Sequence, residues 1–283
     1  MFENGLVLEG GGARGIYTAG VLDAFLERGL AFDYVIGVSA GSCNGVSFLG
    51  KNKGRYHDIV INYFNDKRYM SAGNFFRYGE YINSEWVYGE LTYQLCPLDQ
   101  DEFERSGAVF CCPAVNAKTG KTEYFYPKSF RDGCAEVQAS CSMPVFTGGA
   151  VIGNQLYFDG GLVDSIPLAR ALDDGCRRAV VILTQDKSYI KQPVKFNAEK
   201  LFRKYPMVGK CLAERHLRYR EQQEFAAEMQ KQGVAYIIQP QTPLHCSSLE
   251  RSTAKLEAIY RLGYRQGLEE AEKVRAFLLV SDN

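Results

Sequence analysis

Short apolar runs alternate with glycine-rich turns and amphipathic stretches along the chain, the rhythm of an α/β protein. Leu6 to Glu9 predicts a short buried strand, the glycines after it a turn, and Ile16 to Glu27 a helix carrying Val21, Leu22 and Phe25 on one face. Tyr34 to Gly37 predicts a second strand, which turns at Ser39 into a helix over Ala40 to Leu49. Two strand-turn-helix units in succession imply a parallel sheet. Ala108 to Asn116 and Glu123 to Tyr126 read as hairpin partners across the Lys118 to Lys121 turn. Ala135 to Ser142 predicts a short helix ended by Pro144, and Gly149 to Phe158 alternates like a second hairpin. The β-branched run Ala179 to Thr184 predicts a strand central to the sheet.

Between about Lys51 and Leu98 aromatic residues crowd together, among them Tyr56, Tyr69, Phe75, Phe76, Trp86 and Tyr88. Two readings stand: rings that pack short helices onto the core, the commoner use of aromatic side chains, and rings that face a substrate from a cover over the site. Beyond Asp186 the chain turns basic and polar, with a helical stretch near Glu214 to Gln230 and a strand over Ala235 to Gln239. From Ser252 onward Leu256, Tyr260, Gly263, Gly267, Ala271 and Val274 recur at spacings of three and four, a core-facing stripe whose two glycines permit close packing.

With 283 residues the chain fits one large α/β domain or one domain with an appendage. Lys plus Arg and Asp plus Glu both total 33, so no overall field recruits nucleic acid, and no nucleic-acid partner is expected. Nine cysteines lack the paired spacing of a zinc site and are expected to be reduced core thiols. The start shows no basic leader followed by a long apolar stretch, and apolar runs fall far short of the roughly 18 residues of a membrane span. A cytoplasmic protein is expected, with peripheral membrane contact left open.

Three segments carry chemistry. Gly10-Gly11-Gly12-Ala13-Arg14-Gly15 can aim backbone N–H groups at an oxyanion; Gly37-Val38-Ser39-Ala40-Gly41 can expose a serine hydroxyl on a strand-to-helix elbow; Asp159-Gly160-Gly161 can offer a carboxylate as base. The glycine run also matches a dinucleotide fingerprint, with Asp33 near the ribose-binding spacing, but the second strand then enters a serine elbow. None of His57, His216 and His245 has a motif around it, and each reads as a surface or locally bonded histidine. Asp159 follows an apolar strand and has backbone room around it, although a turn aspartate capping its own loop reads similarly.

These motifs, in this order, resemble the patatin-like phospholipase family, and the bacterial members with a C-terminal extension in particular. The likeness spans roughly residues 5 to 185 and includes Ala139-Ser140-Cys141-Ser142-Met143-Pro144; Ser165 stands where many relatives have asparagine. The resemblance implies a three-layer α/β fold with a central, mostly parallel sheet and a nucleophile elbow over residues 5–185. A C-terminal α/β extension over 186–283 would pack on that core. It further implies a Ser39–Asp159 dyad without histidine, an oxyanion hole from Gly11 and Gly12, and no metal or organic cofactor. Gly10, Arg14, Gly15, Gly37, Gly41, Gly160 and Gly161 would support the motifs. Fatty acyl esters, phospholipids or lysophospholipids, are the implied substrates, with a short-chain carboxylesterase, an acyltransferase and a non-catalytic binding protein on the same fold as alternatives. The oligomeric state is not read from the sequence.

Overall fold

The computed structural model describes residues 1–279 as a central sheet between two helical layers. The strands are β1 (Phe2–Leu8), β2 (Tyr34–Gly37), β3 (Val109–Asn116), β4 (Thr122–Phe125), β5 (Ala150–Ile152), β6 (Gln155–Asp159), β7 (Cys176–Ile182) and β8 (Ala235–Ile238). Their order is β5-β6-β3-β2-β1-β7-β8, with β4 beside β3. The run from β3 through β2, β1 and β7 to β8 is parallel, whereas β4, β5 and β6 pair antiparallel. The sheet is therefore mostly parallel, as expected. β7 differs from expectation: it is interior but next to the β8 edge, because residues beyond 186 add only that one strand outside it.

Alternation explains the layering. Leu6 and Leu8 of β1 join one apolar cluster while Val7 joins the other, so both faces of the strand are covered. The first layer holds α1 (Gly15–Glu27), α2 (Ala40–Leu49) and the closing helix α11 (Thr253–Leu278). The second holds α8 (Leu168–Asp173) and α10 (Pro206–Lys231), whose Tyr219 and Ala226 are buried. The remaining helices are α3 (Arg55–Tyr63), α4 (Ala72–Tyr78), α5 (Ser84–Trp86) running into a π-helical segment (Val87–Leu95), α6 (Gln100–Arg105), α7 (Ala135–Cys141) and α9 (Ala198–Leu201).

Helix α10 begins at Pro206, well before the Glu214 start that apolar periodicity marks, because proline suits a first helical turn and the exposed face gives no periodic signal. The stripe on α11 is buried through Leu256, Ile259, Gly263, Gly267, Ala271 and Val274; Tyr260 is only half-buried and donates its hydroxyl to Asp23 Oδ2 at 2.8 Å. α11 lies along α1 at backbone contact, since a Cβ on Gly263 would fall 2.1 Å from the carbonyl oxygen of Tyr17. Gly263→Ala is expected to destabilise the protein by about 2 kcal/mol, the scale of an overpacked core. A lower urea midpoint with unchanged activity per folded molecule is the outcome that checks it.

All nine cysteines are free, but only five are buried. Cys43, Cys96, Cys141 and Cys246 are half-buried, so the expectation of core thiols holds for part of the set. No helix among the described residues is long and apolar enough to cross a membrane.

Candidate active site

The strand-to-helix turn after β2 forms because two glycines let it close. A Cβ on Gly37 would sit 2.3 Å from the Gly41 carbonyl oxygen, a distance only a bare Cα tolerates. The turn places Ser39 at φ 55° and ψ −124°, a conformation that costs a non-glycine residue on the order of 1–3 kcal/mol. Neighbouring hydroxyls hold it. The Ser39 amide donates to Ser140 Oγ at 3.2 Å, Ser140 and Ser42 Oγ pair at 2.9 Å, and Ser42 Oγ donates to the Gly37 carbonyl at 2.7 Å. The Cys141 thiol donates to the Ser39 carbonyl at 3.1 Å, and its sulfur lies 3.6 Å from that of Cys43.

Asp159 closes β6, in register with Ala114 of β3, and is fully buried. Its Oδ1 accepts the Gly161 amide at 2.7 Å, while Oδ2 has no hydrogen-bond partner among the described residues. Burial pushes this carboxyl above its ordinary range, against the opposing pull of the Arg215 guanidinium, the Ser39 hydroxyl, the Gly161 amide and the Lys191 ammonium. The Ser39 hydroxyl is thus close enough to act on Asp159, although no hydrogen bond of ordinary geometry closes between them. Such looseness is common in unliganded sites.

Ser39 and Asp159 line one cavity of about 380 Å3, together with Gly10, Gly11, Gly12 and Arg14. Backbone N–H groups of Gly11 and Gly12 are engaged by no other group among the described residues, whereas the next amide, of Ala13, donates to the Ser248 carbonyl at 2.9 Å. Gly12 has φ +56°, which leaves the loop's amides successive and free. Ser165, the departure from the family pattern, donates its hydroxyl to the Gly161 carbonyl at 2.8 Å and so fastens the aspartate turn. Gly15 sits where α1 meets α2, its carbonyl taken by Asn44 Nδ2 at 3.1 Å.

The aromatic insertion divides between its two readings. Tyr56, Tyr69, Tyr88, Val87 and Leu91 wall the cavity, and Trp86 packs against Tyr63 and Tyr69. Phe75, Phe76 and Tyr78 of α4 are exposed instead, Phe76 to 87%. Among the described residues no histidine lines the cavity. His57 bonds Glu257 at 2.7 Å and Asp58 at 3.1 Å, and His216 bonds the Ala213 carbonyl at 3.0 Å.

Four residues of the site escape local sequence reading. Glu9 is buried at the end of β1, where its carboxylate accepts the Thr184 amide at 2.5 Å, the Thr184 hydroxyl at 3.0 Å and the Tyr219 hydroxyl at 2.6 Å. Arg215 of α10 donates Nε to the Gly161 carbonyl at 2.5 Å, bracing the turn that presents Asp159. Lys191 lines the cavity with its ammonium 4.4 Å from the centre of the Tyr219 ring. Ser140 buttresses the elbow as described. Only the segment around Ser140 carried any signal, through the family likeness of Ala139 to Pro144.

Comparison with known proteins fits this geometry. A family model described as patatin-like phospholipase matches residues 6–172, well over half of the chain. The chain belongs to the patatin-like phospholipase family. That membership supports lipid hydrolase activity at the level of the family. A second model, a domain of unknown function, matches residues 205–279. Among curated relatives, an uncharacterized protein, YjjU of Escherichia coli, is 31% identical over 91% of this chain and 74% of its own length. The lysophospholipase NTE1 of Saccharomyces cerevisiae is 28% identical over 61% of this chain, which spans only 10% of that protein. Among solved structures, VipD from Legionella pneumophila shares the fold, with a TM-score of 0.51 at 14% identity over 95% of this chain and 67% of its own.

Proposed function

We propose that this patatin-like protein is a serine acyl hydrolase that cleaves carboxylic esters of phospholipids or lysophospholipids through a Ser39–Asp159 dyad. The observation that carries the reading is the strained Ser39 beside the unpartnered oxygen of a buried Asp159, in one largely apolar cavity with two free glycine amides. Ser39 Oγ attacks the ester carbonyl and its proton passes to Asp159. The tetrahedral oxyanion accepts hydrogen bonds from the Gly11 and Gly12 amides. Collapse breaks the ester C–O bond, and the leaving alcohol takes the proton from Asp159. Water then attacks acyl-Ser39 with Asp159 again as base, releasing the fatty acid and restoring the serine.

The chain at 186 divides a catalytic part from an extension in this reading, with the extension bracing the aspartate turn through Arg215. The exposed aromatics of α4 suit contact with a lipid surface, where amphipathic rings settle at the interface. Phe76→Asp is expected to lower hydrolysis of vesicle-borne lipid about tenfold or more, at roughly 1.5–3 kcal/mol per buried aromatic, while dispersed short-chain esters turn over as before. Parallel assays on the two substrate forms check it.

The test of the reaction is intact-mass analysis after fluorophosphonate treatment. One covalent adduct on the native protein, absent from folded Ser39→Ala, is the expected result; an unmodified native protein, or an adduct that survives the substitution, overturns the mechanism. Free fatty acid as the product separates hydrolysis from transfer to another alcohol.

A further inference from the structure

Three cations from distant parts of the chain line the cavity within electrostatic reach of one another: Arg14 after the glycine loop, Lys191 after β7, and Arg215 on α10. None has an ion-pair partner among the described residues. The two nearby carboxylates are already committed, Glu9 to Thr184 and Tyr219, and Asp159 to the Gly161 amide and the proposed proton transfer. Arg14 donates one terminal N–H to the Cys246 carbonyl at 3.3 Å, and its buried Nε has no partner among the described residues. Lys191 rests on the Tyr219 ring, and Arg215 gives the Gly161 carbonyl a single N–H. Arg55 also lines the cavity but is spent elsewhere, on the Cys96 carbonyl at 2.8 Å and Ser47 Oγ at 3.0 Å.

We propose that Arg14, Lys191 and Arg215 form a phosphate subsite, so that the preferred substrate is an acyl ester carrying an anionic phosphate headgroup. Two of the three cations lie beyond the family match at 6–172, and Arg215 lies within the domain of unknown function, which thereby acquires a role in headgroup recognition. The apolar lining residues Ile59, Phe64, Val87, Leu91 and Phe146 suit the acyl chain. The three charges repel one another. Burial and the Arg215 guanidinium push the Lys191 ammonium down to about 7, with Arg14 adding to the effect and Glu9 opposing it. A phosphate seated among the three relieves this repulsion through charge-assisted hydrogen bonds. A guanidinium keeps its charge where this ammonium is drawn toward neutrality, so arginine at position 191 should preserve phosphate recognition and methionine should lose it.

The inference rests on the acyl-hydrolase reading and is separable from it. The experiment compares kcat/KM for a medium-chain monoacyl glycerophosphate and the matching monoacylglycerol, both below micelle-forming concentrations, in the native protein, Lys191→Met and Lys191→Arg. The expected result is a preference for the phosphate-bearing ester of about tenfold or more, the worth of one charge-assisted hydrogen bond, collapsing in Lys191→Met and kept in Lys191→Arg. Equal use of the two esters by the native protein, or a preference that survives Lys191→Met, overturns the subsite while leaving the hydrolase intact. Inorganic phosphate that alters hydrolysis of the neutral ester in the native protein but not in Lys191→Met, without any preference between esters, makes the cluster a site for free phosphate and overturns the headgroup assignment. Hydrolysis of neither ester, with no fluorophosphonate label on Ser39, sinks both proposals.

Discussion

Ser39→Ala is expected to abolish acyl-ester hydrolysis while leaving the circular dichroism spectrum unchanged. A loss on the order of 10^4-fold or more in kcat follows from removing the proposed nucleophile while the proposed oxyanion donors remain. The backbone at this position adds a second, opposite effect. At φ 55° a side chain is strained, so Ser39→Gly should be equally inactive yet more stable, by on the order of 1 kcal/mol. Chemical denaturation of the native protein and both variants reads the stability, and fatty-acid release reads the activity. Retention of more than a few per cent activity in either variant removes Ser39 from the mechanism, while a Ser39→Gly variant less stable than Ser39→Ala removes the strain.

Asp159→Asn should cost activity on a similar scale, about 10^3-fold or more, because an amide accepts no proton from Ser39. Its effect on stability depends on pH with a sign that the buried carboxyl fixes. Burial raises the folded pKa above the unfolded value near 3.8, so between the two the folded state binds more protons. Stability therefore falls as pH rises through that window, and the ionised carboxylate is a net burden at neutral pH even with Arg215 beside it. Asp159→Asn should melt higher than the native protein at pH 7, and the difference should vanish below the ordinary carboxylate range. With Asp159 as the proposed base, the same ionisation should set the acid limb of kcat/KM above that range, and Arg215→Gln should move the limb further up by deleting the guanidinium that favours the charged form. Matched melting curves at acid and neutral pH, and pH–rate profiles, test both; an Asn variant that melts lower at pH 7, or a limb that stays put in Arg215→Gln, contradicts this account.

The parts of the molecule legible in the sequence are those whose cause is local. β2 and the elbow announce themselves because a buried strand, two glycines and a serine must be neighbours in the chain to make that turn, and the Gly149 to Phe158 hairpin emerges from alternation alone. The closing helix was readable because its small residues recur with the period of the face they present to α1. What stayed hidden depends on distant partners. Glu9 and Tyr219 are 210 residues apart, Arg215 meets Gly161 across 54, and Ser39 meets Ser140 across 101. Arg215 and Lys191 sit in polar, basic stretches whose pattern is that of a solvated surface, and nothing local marks these two charges as facing the cavity. The edge-ward position of β7 was equally out of reach, since strand order is set by which later segment adds beside it.

The glycine loop leans on Ser248, and the aspartate turn leans on Arg215, each late in the chain, while Ser39 lies near its start. During synthesis the early segments emerge and begin to pack first. A nascent chain that has already delivered its serine and its aspartate still lacks the braces that aim them, and acquires them only when translation has passed residue 248. In the proposed mechanism, acyl hydrolysis is thereby withheld until residue 248 has been made, and a product stopped before it would carry Ser39 and Asp159 without the contacts that aim them.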